Sequence, residues 1–86
     1  LGWSLPLGGA EPIDLSVDRS QIAVLLKEPD GRTRALVLGK NSGSVLWETE
    51  PEEAGMIRFA GAVVQDGNLL LWGEDAQGDG LLRLFE

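Results

Sequence analysis

Apolar and polar positions along this chain fall into short runs of strand length, divided by turn residues. Ile13, Leu15 and Val17 alternate with Asp14 and Ser16, a period of two that predicts a strand with one buried side. Asp18-Arg19-Ser20 then supplies a turn. Gln21–Lys27, with IAVLL at its centre, is almost continuously apolar and predicts a strand covered on both faces. In Pro29-Asp30-Gly31 the proline sets the entering φ and the glycine accepts the positive φ that closes a hairpin. Arg32–Gly39 is the next predicted strand, Lys40–Gly43 a turn, and Ser44–Glu48 a short returning strand of edge type. Glu48, Glu50, Glu52 and Glu53 around Pro51 predict a solvated acidic loop.

The order then recurs. Met56–Val64 predicts a strand with Gly61 inside it, a place for a bulge or a close backbone approach. Asp66-Gly67 is a hairpin turn of the Asp-Gly type. Asn68–Trp72, with LLLW, repeats the buried run, Glu74–Gly80 is a longer loop, and Leu81–Glu86 a closing strand. No helical period of 3.6 persists for more than about two turns. The expected fold class is all-β, built from antiparallel strands.

Trp3 and Trp47 lie 44 positions apart, within the span of about 40–45 residues that one four-stranded blade of a β-propeller occupies. Residues 1–86 then read as a single unit of two blade repeats, about 3–46 and 47–86. Ser20-Gln21-Ile22 aligns with Gly67-Asn68-Leu69 at an offset of 47, and Gly31 with Gly80 at 49. The drift is assigned to insertions in turns, which a repeat tolerates. Ala35-Leu36, Ser42-Gly43 and Leu46-Trp47-Glu48 resemble the A-L-D-x-x-T-G-x-x-x-W tryptophan-docking motif of PQQ-like (quinoprotein-type) β-propeller repeats. Ser42 stands for the usual Thr and Val37 for the usual Asp. The second copy keeps Gly80-x-Leu82-x-Leu84-Phe85-Glu86. The resemblance implies structural docking roles for Trp3, Trp47, Ser42 and Gly43, with each indole lying across a neighbouring blade and burying roughly 150–250 Å². WD40 repeats fit less well, since Gly-His and Trp-Asp pairs are missing. Trp72, inside an apolar run, is expected in a core or between blades.

Composition narrows the chemistry. The 86 residues include no cysteine and no histidine, which removes disulfides, thiolate sites, the commonest general base and the commonest zinc ligand. The net charge of −7, with seven basic residues of which only Arg32 and Arg34 form a close pair, makes nucleic acid and anionic membrane surfaces poor partners. No apolar run approaches the roughly 20 residues that span a bilayer. LGWSLPLGG carries neither a charged leader nor an initiating Met, and reads as a processed, excised or engineered start. Two blades cannot close a ring, and they leave apolar faces and strand edges open. The expected partners are further copies, for example four giving an eight-bladed ring closed by the N-terminal strand of a neighbour, or the remaining blades of a larger propeller.

Two chemical readings compete with a scaffold. Asp75, Gln77, Asp79, Gly80 and Glu86 fall at positions 1, 3, 5, 6 and 12 of a calcium loop, although glutamine is a weak ligand there and Glu86 ends a predicted strand. The plain alternative is a polar hairpin loop. An enzyme reading makes the chain a segment of a quinoprotein-type dehydrogenase, which needs a redox cofactor, calcium and a carboxylate base. Asp14, Asp18 and Asp66 are carboxylates on hand, and nothing in the spacing brings two of them together. No phosphate-binding glycine loop and no nucleophile elbow occurs. The functional expectation is a non-catalytic propeller scaffold or protein-interaction module without a cofactor, calcium being the one alternative. No address marks a compartment, although repeats of this type are often extracytoplasmic.

Overall fold

The computed structural model describes residues 2–85, and these form seven strands and one short helical turn. Strands β1 (Glu11–Val17), β2 (Gln21–Lys27), β3 (Thr33–Gly39) and β4 (Val45–Thr49) make an antiparallel sheet in the order 1-2-3-4. A 3₁₀ turn over Pro51–Ala54 leads to β5 (Arg58–Gln65), β6 (Asn68–Glu74) and β7 (Gly80–Phe85), a second antiparallel meander. The all-β antiparallel expectation therefore holds, as two sheets of four and three strands.

The second sheet copies the pairing register of the first at a constant offset of 47 (59 − 12): Pro12 pairs Leu26 as Phe59 pairs Gly73, and Leu25 pairs Ala35 as Trp72 pairs Leu82. Even the irregularity recurs, with the register shifting between Pro12 and Asp14 in β1 and between Phe59 and Gly61 in β5. The offset does not drift in the loop. Gly31 (φ 90°) corresponds to Gly78 (φ 83°), each donating its N–H three residues back, to the carbonyls of Glu28 and Asp75. Gly80 instead occupies the counterpart of Thr33, at the start of β7. The connector Glu50–Gly55, expected as a solvated loop, forms a compact turn with Pro51 and Ala54 buried. Thr49, expected just inside the acidic loop, ends β4 and is 2% exposed. Residues 2–7 form no strand and pack on the first sheet through Trp3, Leu5 and Leu7.

Two apolar layers result. Ala23, Leu25, Ala35 and Val37 of the first sheet meet Phe59, Ala62, Val64, Leu69 and Leu71 of the second, with Ala54 and Met56 closing one end. On the far face of the first sheet, Val24, Leu26, Leu36 and Leu38 are covered by Leu5, Leu7 and Ala10. IAVLL is buried on both faces as its composition predicts. β1 reverses the expectation drawn from its alternation. Its half-buried side is polar, Asp14 and Ser16, while Ile13, Leu15 and Val17 are exposed.

Candidate functional site

The inversion of β1 has a backbone cause. β5 is an edge strand, and its outward N–H groups need acceptors. Three side chains of the first sheet supply them, and Asp18, just after β1, does the same for the β5–β6 turn. Thr33 Oγ1 accepts from Phe59 N–H at 2.9 Å, Asp14 Oδ2 from Ala62 at 3.0 Å, Ser16 Oγ from Val64 at 2.9 Å and Asp18 Oδ2 from Gly67 at 3.4 Å. Polar residues at every second position of a strand are what a neighbouring edge two residues per step requires. Asp18 Oδ1 also takes the N–H groups of Ser20 and Gln21 at 3.0 and 2.8 Å. These bonds, Ser20 first, hold its carboxyl below the usual value of 3.8. The carboxylates singled out in β1 and its turn thus lie on one ridge and serve as backbone acceptors. Asp66, at φ 51°, shapes the β5–β6 turn.

The tryptophans occupy three different settings. Trp3 donates from Nε1 to the carbonyl of Lys40 at 2.7 Å and lies over Gly43 (φ 72°), where an added Cβ would fall 2.5 Å from the ring. Ser42 Oγ accepts the N–H of Ser44 at 3.2 Å, tightening the same turn. Trp47, on β4, leans on Phe85 of β7 with ring centroids 5.1 Å apart at 50°. Trp72 lies over Gly61, and a side chain at position 61 would collide with its ring. The bulge anticipated at Gly61 is present, and what comes close there is the Trp72 ring rather than another backbone.

The loop considered for calcium is a hairpin turn organised by Asp75. Its Oδ1 accepts the N–H groups of Gln77 and Asp79 at 2.9 and 3.0 Å, and its N–H donates to the carbonyl of Asp79. Glu86 lies outside the described residues. Among the described residues no three His, Cys, Asp or Glu side chains come together to hold a metal. A cleft of about 450 Å³ opens between the β2–β3 turn and the connector, edged by Glu28, Asp30, Arg32, Arg34, Glu50 and Glu52. Both guanidinium groups there are already matched. Arg34 pairs with Glu28 at 2.7 Å and Glu48 at 3.0 Å, and Arg32 with Asp30 at 2.8 Å. The bond to Asp30 pushes Arg32 up, and the Arg32 backbone N–H heads the causes that bring Asp30 down.

Two surface patches are apolar. On the outer face of the second sheet Val63, Leu70, Trp72, Leu82 and Leu84 stand together, with Leu82 63% and Leu84 58% exposed. At the opposite end of the two-sheet stack, Leu15 (62%) and Val17 (51%) are open beside Ile22. Sequence reading placed Ile13, Leu15 and Val17 inside, and Trp72 in a core or between blades. The missed signal was the polar half of β1, Asp14-x-Ser16-x-Asp18, a row of short acceptors. No family model matches the chain, and neither a curated protein nor a solved structure does.

Proposed function

We propose that this chain is a non-catalytic scaffold whose two sheets are adjacent blades of a β-propeller of PQQ-like type, completed by further copies or further blades. The observation that carries the reading is the recurrence of the register at 47 residues, bulge included, in two sheets stacked face to face. A β-sandwich seals one interior and turns polar outer faces to water. Here the first sheet is apolar on both faces and the second carries an open apolar face, as sheets stacked in series around an axis require. Trp47 of β4 against Phe85 of β7 is a contact between neighbouring sheets, in keeping with the docking role the motif implies, whereas Trp3 lies on Gly43 and Lys40 of its own repeat. The carboxylates of β1 are spent on backbone donors, which favours a structural role for that ridge over an acid–base one.

Light scattering on the purified chain tests the reading. The expected result is a discrete mass several times 9.2 kDa. A folded chain that stays at 9.2 kDa up to hundreds of micromolar, binding no further blade in trans, would sink it.

A further inference from the structure

The interface inside the molecule has two halves, and each half has a counterpart left open at the outside. Ala23, Leu25, Ala35 and Val37 form the half given by the first sheet, and Ala62, Val64, Leu69 and Leu71 belong to the half given by the second. Moved by 47 positions, the first set becomes Leu70, Trp72, Leu82 and Leu84, the open outer face of the second sheet. Moved back by 47, the second set becomes Leu15, Val17, Ile22 and Val24, of which Leu15 and Val17 are exposed and Ile22 half-buried. The uncovered surfaces are the two complementary sides of one contact that the molecule already makes once.

We infer that a second copy of this chain docks head to tail, its Leu15–Val17–Ile22 face on the Leu70–Trp72–Leu82–Leu84 face of the first. This rests on the blade reading above and assigns the partner surfaces and their polarity. The N-terminal segment takes up part of this face and leaves the rest open: Leu5, Leu7 and Ala10 cover Val24 at its margin, while Leu15 and Val17 stay exposed. The same three residues cover Leu26, Leu36 and Leu38, whose counterparts are Gly73, Arg83 and Phe85. In the second sheet Trp47 reaches Phe85, and the carbonyl of Ala54 accepts from Arg83 at 3.4 Å. Residues 2–10 therefore stand to the first sheet as β4 and the connector stand to the second, and the remaining opening is the part another sheet would cover.

Three of the four donor positions at this contact make no demand on the partner, and Val17, the counterpart of Val64, is the fourth. Phe59, which needs Thr33, has proline as its counterpart at position 12, with no N–H to satisfy. Leu15, the counterpart of Ala62, donates to its own Asp14 Oδ1 at 3.0 Å, and Ser20, the counterpart of Gly67, to its own Asp18. Docking removes apolar side chains from water without stranding these donors, so the association is driven by apolar burial and weakly dependent on salt. Because the two surfaces differ, the contact is heterologous: each copy has one donor end and one acceptor end.

Leu15→Asp and Leu84→Asp test this, since both residues are exposed and the variants are expected to keep the wild-type circular dichroism spectrum. Each variant alone is expected to weaken self-association at least tenfold in midpoint concentration and to run as the 9.2 kDa chain under conditions where the wild type assembles. Mixed in equal amounts, the two form a species of two copies and no larger one, each contributing its intact end. A wild type that never associates defeats the blade assembly itself. A wild type that assembles while Leu15→Asp assembles equally well shows a symmetric pairing of second sheets and overturns this inference alone. So does a mixture that yields no heterodimer.

Discussion

At the scale of single residues, the two close approaches under tryptophan rings decide more than any charge. Gly43 combines a left-handed φ with the Trp3 ring in the place of its Cβ. Gly43→Ala therefore costs both backbone strain and displacement of the indole from Lys40, together about 2 kcal/mol or more, measurable by urea unfolding. Gly61→Ala drives the Trp72 ring off the bulge, with a similar expected loss of about 1–3 kcal/mol from overpacking. In a double-mutant cycle, Trp72→Leu recovers most of the Gly61→Ala penalty, because the smaller side chain leaves room for the methyl. Additive penalties would show that the ring is not what excludes a side chain there. Gly61 was legible in sequence as a bulge or close approach. Its partner was not, because sequence spacing gives no measure of how far an indole folds back across its own sheet.

At the scale of elements, the joint between the sheets is a row of side chains from the first sheet on one edge. Asp14→Ala and Ser16→Ala leave Ala62 and Val64 N–H groups without acceptors, at an expected cost of about 1–3 kcal/mol each. Hydrogen exchange at those two amides accelerates, while β2–β3 amides, which lie elsewhere, change only with global stability. The row is also acid-sensitive. The Asp18 carboxyl is held below its ordinary value by Ser20, Gln21 and Gly67 backbone donors, so its contribution is present above the unfolded value near 3.8 and is lost as pH falls through the depressed folded value. Thermal midpoints taken from pH 6 down to pH 2.5 fall below about pH 4, and Asp18→Asn, already neutral, shows a shallower fall. The strands and turns themselves were readable from alternation, from Pro-Asp-Gly and from Asp-Gly. The orientation of β1 was not. Period-two patterning states that two sides differ and leaves open which side is inside, and here unmet backbone donors on β5 outweigh the exposure of Ile13, Leu15 and Val17. The constant 47-residue offset was similarly masked, because few residues repeat: Gly31 recurs as Gly78 and Val17 as Val64, while Thr33 recurs as a glycine.

At the scale of the whole molecule, neither sheet owns its core. Leu25 and Leu71, both fully buried, face each other's sheets across the same layer, and Thr33 and Asp14 anchor β5 from the other side of the joint. The two sheets therefore unfold as one cooperative unit, although the sequence repeats. A chain of this length carries a total stability of roughly 4–13 kcal/mol, and truncating a fully buried leucine removes about 2–5 kcal/mol. Leu25→Ala and Leu71→Ala are each expected to lower one and the same urea transition by that amount, the midpoint moving while its slope stays constant. Tryptophan fluorescence reports on the surroundings of Trp3 on the first sheet and Trp72 on the second, and far-ultraviolet circular dichroism on the strands of both. Coincident curves from the two probes follow from a shared core. If Leu71→Ala instead melted the second sheet alone and left the Trp3 signal native, each sheet would be stable by itself, and the stacking contact would be an accessory to the fold rather than its basis.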